Sequence, residues 1–354
     1  MMTRRDLLRA IPATALLATA RGAAGPPPPP PSRIDSHVHI HRDAPALVDA
    51  MRESGWRGLD IVVSPASTAG EPSDLAERLR ATAGVARDSG GTLAWASTFD
   101  ARGFEDPDFG DRAVAQLRRN FDDGAVAVKV WKNVGMAIRA KSGAYLLPDD
   151  PALRPIYEAI ERAGRTLIAH LAEPDGAWMP LDSKNPEIGY YSANPQWHMH
   201  GKPGAPVKGE IIDARDRVLD RYPKLRVVGC HLGSDEDDLG RLARRLDAHP
   251  NFAVDTAARV RYFAAADRDR VRAFLDRYQD RILYATDFSL RDGDPAAAAR
   301  SIRTTHDRDW AFFAGGDAMD YEGRPTRGLA LPEGVLRKIF VENALRWFPG
   351  LRGS

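Results

Sequence analysis

Histidines and one aspartate carry the chemistry that stands out in this chain. His37 and His39 lie in the run Asp35-Ser36-His37-Val38-His39. Residues i and i+2 of a strand share a face, so this run sets two imidazoles side by side. His170 closes the apolar run 166–170, His231 closes 226–231, and Asp287 follows 281–286. Imidazole nitrogen and carboxylate oxygen are the donors with which zinc builds sites that keep an open position. Each residue alone has a plainer reading, as a satisfied structural histidine or, for Asp287, a helix cap. Four of the nine histidines and one aspartate at the ends of apolar runs together point to a metal site. The single cysteine, Cys230, makes neither an intrachain disulfide nor a Cys-rich zinc site, so the ligands must be His and carboxylate.

Those residues need elements that bring distant runs together. The strand candidates are 34–40, 59–64, 92–99, 125–131, 166–170, 226–231, 252–256 and 281–286. Most are continuous apolar runs, as parallel strands buried on both faces should be. Stretches with helical spacing, among them 73–87, 151–162, 235–246 and 268–278, lie between them. Eight strands alternating with helices over residues 33–350 predict an α/β fold, a (β/α)8 TIM barrel. A doubly wound open sheet would gather the site residues at one switch point, whereas here they are spread along the chain. Residues 175–208 and 290–331, after strands 5 and 8, read as extended βα loops on the C-terminal face, where barrels build their sites. From 331 a closing helix is expected, with Val335, Leu336, Ile339 and Phe340 on one face.

Hydrophobic residues at 43% and charged residues at 28% fit a globular domain. The formal net charge is +1, and removing residues 1–25, with four Arg and one Asp, leaves −2. A nucleic-acid partner is therefore not expected. Arg4-Arg5 followed by the short apolar run 10–20 and small residues resembles a Tat signal peptide over 1–25. The alternative is a disordered basic start in a cytoplasmic protein. The apolar run is too short to span a bilayer. Residues 26–32, with prolines 26–31, read as an extended linker. The expectation is a periplasmic or secreted protein without stable membrane association, with a homo-oligomer left open.

The order D-x-H-x-H, His, His and a closing Thr286-Asp287 resembles the amidohydrolase superfamily. Leu331-Pro332, Ile339 and Glu342-Asn343-Ala344 are similar to its amidohydrolase-2 branch, which includes aminocarboxymuconate-semialdehyde decarboxylase-like enzymes. The resemblance implies that His37, His39, His170 and Asp287 bind one divalent metal, usually zinc, with manganese as the alternative. It also implies that His231 sits beside that ion, contacting water or substrate. On this reading His231 and Asp287 are catalytic, and Asp287 accepts the proton of a water whose pKa the metal lowers. Lys129, at the end of strand 4, is a bridging carboxylated ligand in two-metal relatives. Here it is read as a substrate or structural contact, with the bridging role as the alternative, and strand parity leaves open whether Lys129 or Lys132 points inward. Trp131, Arg259, His198 and His200 complete the substrate-binding candidates, Arg259 as a carboxylate clamp. For Asp255 and Arg259 the plainer reading is a salt bridge with each other, and His41, His249 and His306 receive no functional reading. The expected activity is hydrolysis of an ester, lactone or amide of a small molecule. Nonoxidative decarboxylation of an aromatic or unsaturated acid is the alternative enzyme class, and a non-catalytic periplasmic binding protein the alternative without turnover.

Overall fold

Short apolar runs bounded by Gly, Asp and Ser become eight strand positions. They are β1 (Arg33–His39), β2 (Trp56–Ile61), β3 (Leu93–Thr98), β4 (Ala127–Val130), β5 (Thr166–Ala169), β6 (Arg226–Gly229), β7 (Phe252–Asp255) and a split eighth, β8 (Ile282–Leu283) and β9 (Phe288–Ser289). The computed structural model describes residues 32–64, 73–290 and 294–351, so the signal (1–25) and nearly all of the linker (26–32) lie outside the described residues. Every neighbour in the main sheet is parallel, in the order β8-β7-β6-β5-β4-β3-β2-β1-β9. The two halves of the last strand close the ring, since β8 pairs with β7 and β9 with β1. Between them Ser36 N–H donates to Tyr284 O at 3.0 Å and Asp287 N–H to His37 O at 2.9 Å. A helix follows each strand: Pro45–Glu53, Leu75–Asp88, Phe109–Asp122, Arg154–Arg162, Lys208–Arg221, Leu239–Ala248, Arg268–Arg277 and Pro295–Ala314. This is the (β/α)8 barrel. No helix of the described residues is long and apolar enough to cross a membrane.

Alternation along the strands decides what faces the barrel axis. Ile34, Leu59, Ala127, Ile168, Val228 and Leu283 pack together inside, closed at the strand-start end by Trp347, Phe348 and Leu351. Val128, Leu167, Val227 and Val254 point outward to the helices. Ala127 inside puts Lys129 inside as well, fully buried. In β1 the parity is broken. Ile34 belongs to the inner cluster, yet Val38 packs outside, because the pairing with β2 shifts register between Asp35 and Val38. A bulge of this kind re-aims side chains, and here it turns His37 and His39 to the axis. Gly58 stands opposite, where a Cβ would lie 2.8 Å from Leu93 and 2.9 Å from Met51.

The segment after strand 8 is built differently from the extended loop the sequence suggested. Asp294 caps a 20-residue helix, its carboxylate accepting from Ala296 and Ala297 N–H, with Pro295 in the first turn. An antiparallel hairpin, Ala318–Tyr321 with Arg324–Arg327, follows it. Residues 175–208 do form a long excursion over the barrel mouth, with one short α-helix, Ile188–Ala193, between two 3-10 turns, Asp175–Trp178 and Pro195–Trp197. The closing helical segment buries Val335, Leu336, Ile339 and Phe340 as expected.

Candidate metal centre

Two strand ends leave ordinary backbone geometry where they carry candidate residues. His231 and Leu232 have φ of 58° and 55°, and Asp287 has φ of 65°. Non-glycine residues in this left-handed region cost about 1–2 kcal/mol each, and such strain collects at functional sites. Gly229 permits the turn before His231, since a Cβ there would meet the Phe252 ring at 2.7 Å. The turn is held by Asp255, whose Oδ1 accepts from His231 N–H at 2.7 Å and Ala257 N–H at 3.1 Å.

The imidazoles converge on Asp287. Nε2 of His37 and Nε2 of His39 each lie 3.4 Å from Asp287 Oδ1. Ligand atoms about 2.0–2.1 Å from a tetrahedral ion stand roughly 3.3–3.4 Å apart, so this spacing fits a shared metal. The far side of each ring is also accounted for. His37 Nδ1 is 2.9 Å from Asp255 Oδ2 and His39 Nδ1 is 2.6 Å from Ile61 O. Both partners are acceptors, so each Nδ1 carries the proton and each Nε2 keeps its lone pair. The same logic runs through the other two rings. His231 Nδ1–H donates to Ala257 O at 2.8 Å, and His170 Nδ1–H donates to His231 Nε2 at 3.2 Å. His170 Nε2 is then buried without a hydrogen-bond partner among the described residues, as a free ligand atom would be.

Protonation states agree with ligation. Burial first, then the charge of Lys129, lowers the His37 pKa. Burial lowers His170 far below its usual value and pushes His231 down to about 3. All three are neutral donors at pH 7. Burial opposes ionisation of Asp287, but His231, His39 and His37 outweigh it and hold the carboxyl far below the usual carboxylate range. Asp287 is also the most open of these groups, at 31% exposure against 0% for His37.

Residues 34–350 match the family model described as Amidohydrolase. The chain belongs to the amidohydrolase family. Within it, the sequence features assign the amidohydrolase-2 branch. No curated protein matches this amidohydrolase in sequence. Among solved structures it is similar to 2,6-dihydroxybenzoate decarboxylase from Rhizobium, at 17% identity over 90% of this chain and 98% of that one, with a TM-score of 0.53. Dihydroxybenzoic acid decarboxylase from Polaromonas sp. JS666, with bound manganese and 2-nitroresorcinol, gives 15%, 90%, 96% and 0.53. 4-Oxalomesaconate hydratase from Rhodopseudomonas palustris gives 14%, 90%, 96% and 0.52. At these identities the likeness is one of fold.

The amidohydrolase brings most of the expected residues together, with rearrangements. His37, His231 and Asp287 offer ligand atoms within 4.8 Å of one another, so His231 also reaches the centre, with His170 Nδ1 3.2 Å from its Nε2. Lys129 points inward, its Nζ 3.3 Å from His37 Nε2 and donating to Cys230 Sγ at 2.9 Å. Lys132 lies at the mouth, ion-paired with Glu173, donating to Tyr190 OH at 2.9 Å and 4.5 Å from the Trp197 ring centre. Trp131 meets Trp197 edge-on at 5.0 Å. Arg259 does not pair with Asp255. It is buried 3.7 Å from Glu236, and its Nε has no hydrogen-bond partner among the described residues. His198 Nε2 lies 2.8 Å from Met179 O and His200 Nδ1 3.1 Å from Trp178 O, so these rings brace the 175–208 excursion on its own backbone. Asp255 pairs with His37 rather than with Arg259, a partnership across 218 positions that no sequence motif signals.

Proposed function

We propose that this enzyme is a hydrolase that cuts an ester, lactone or amide bond of a small molecule at one divalent metal held by His37, His39, His170 and Asp287. The convergence of two imidazole Nε2 atoms on one oxygen of Asp287 carries this reading. A donor set of three imidazoles and a carboxylate suits zinc, with manganese as the second choice. When bound, such an ion supplies Lewis acidity and brings the pKa of water to about 7. Asp287, ionised and partly open, accepts a proton from entering water at its second oxygen and returns it to the departing group. Neutral His231, fixed by Ala257 O and Asp255, holds His170 in the tautomer that leaves Nε2 free. Trp131, Trp197 and the Lys132–Glu173 pair border the approach, a surface for a small planar substrate.

Nonoxidative decarboxylation of an aromatic or unsaturated acid is the second reading, favoured by Arg259. Burial opposes its charge, but Glu236, Tyr262 and Glu173 keep it protonated, and a guanidinium can clamp a carboxylate through two parallel hydrogen bonds. Turnover of a substrate panel by the zinc- or manganese-loaded protein separates the two. Net acid release without carbon dioxide supports hydrolysis, and stoichiometric carbon dioxide replaces it with decarboxylation. We also propose Tat-dependent export, which an unprocessed N-terminus on protein from the native periplasm would refute.

A further inference from the structure

The seam where the barrel closes is also where the metal centre is hung, and it has no continuous ladder. Strand 8 is interrupted between Leu283 and Phe288, and across that gap β1 meets it through the hydrogen bonds of Ser36 N–H to Tyr284 O and Asp287 N–H to His37 O. Asp35, wholly buried, fills the gap. Its Oδ1 accepts from His37 N–H at 3.2 Å and Thr286 N–H at 3.0 Å. Its Oδ2 accepts from Thr286 Oγ1–H at 2.6 Å and is 3.0 Å from His306 Nε2. Each of these donors is one bond or one residue from a proposed ligand, except His306, which arrives from the helix Pro295–Ala314. His306 is 1% exposed and stacked on Trp56 with ring centres 3.8 Å apart. That stack sets the ring plane, and a carboxylate partner requires the proton on Nε2. The neighbouring Asp309 reaches the same seam, its Oδ2 accepting from Tyr284 OH at 2.9 Å.

We infer that His306 is a positioning residue of the metal centre: through Asp35 it fixes Thr286 beside Asp287 and the backbone of His37. This rests on the metal-site reading above. The helix that covers the closing strand thereby sets how closely Asp287 approaches His37 and His39.

The experiment compares wild type with His306→Phe, which keeps a ring on Trp56 but removes the Nε2–H, and His306→Gln, whose side-chain amide can donate from a similar position. Zn2+ affinity is read by chelator competition, and the geometry by the visible spectrum of the Co2+-substituted protein. Removing an outer-shell partner of a ligand weakens metal binding by about 10–100-fold, and His306, one step further out, should act near the lower end. His306→Phe should therefore bind Zn2+ about 10-fold more weakly with altered Co2+ bands, and His306→Gln should recover most of both. If His306→Phe does not fold, Thr286→Val removes the hydroxyl donor to the same carboxylate and should shift affinity and spectrum in the same direction. Wild-type affinity and spectrum in His306→Phe, or in Thr286→Val where that variant stands in, would overturn the inference alone, as would a His306→Gln no better than His306→Phe. A wild-type chain that binds neither ion removes the metal-site reading and the inference with it.

Discussion

Replacing Asp255 by Asn tests whether the protein controls its metal ligands through hydrogen bonding. The carboxylate serves three donors with two oxygens: His37 Nδ1–H at Oδ2, and the amides of His231 and Ala257 at Oδ1. Burial opposes its ionisation, but contact with His37 outweighs that, and the group stays charged. Asn offers one acceptor oxygen and one NH2 donor. With the oxygen toward His231 and Ala257, the NH2 faces His37 Nδ1 and drives the proton to Nε2, the atom that should bind metal. With the oxygen toward His37, the NH2 opposes two buried amides, at about 1–3 kcal/mol for each group left unpaired. In the first arrangement metal affinity falls by about 10–100-fold, equivalent to about 1.4–2.8 kcal/mol. In the second the metal-free protein loses stability of comparable size. Chelator competition for Zn2+ and urea unfolding of the metal-free form therefore need to be read together. A D255N protein with wild-type metal affinity and wild-type stability would refute the reasoning, because neither orientation permits both.

Asp287→Asn should fold normally, since Asn tolerates the left-handed conformation at this position, while turnover falls by about 10²-fold or more; full activity would remove the proposed proton acceptor. The metal-free protein should weaken on acidification. His37, His170 and His231 titrate below their unfolded value of about 6.5, with His231 at about 3. Between those pH values the unfolded chain holds protons that the folded chain does not, so stability falls as pH drops through that window, by up to about 1.4 kcal/mol per pH unit for each histidine. A urea midpoint unchanged between pH 7.5 and pH 5 would contradict this. Lys132→Met leaves buried Glu173 without its cation and should destabilise by about 3–5 kcal/mol. It also removes the bond to Tyr190, so limited proteolysis within 175–208 should accelerate; unchanged cleavage would mean that the excursion is held elsewhere.

The barrel and the residues at its mouth were legible because both depend on local pattern. Buried parallel strands write themselves as apolar runs, and His170, His231 and Asp287 each follow one directly. Lys129 against Lys132 was not legible, because a strand buried on both faces shows no alternation from which to read parity. The structure resolves it through packing, with Ala127 inside the barrel. The β1 bulge was equally silent, since the i, i+2 relation of His37 and His39 holds whether or not the strand has slipped. What the sequence could not supply was partnership at long range. Asp255 meets His37 across 218 positions and His306 meets Asp35 across 271, and neither pair shares a motif. The helix Pro295–Ala314 is hard to read in the sequence for another reason. Glycine, proline and charge around 291–295 read as loop, although Asp294-Pro295 before four alanines is a helix start.

Metal content per chain, measured by elemental analysis on the purified protein after zinc and manganese supplementation, reads directly whether His37 and His39 hold an ion. The wild type should hold about one divalent ion per chain and lose it in a His37→Ala/His39→Ala double variant that still folds. No ion in the reconstituted wild type, or an ion retained when both histidines are removed, would contradict the metal-site reading.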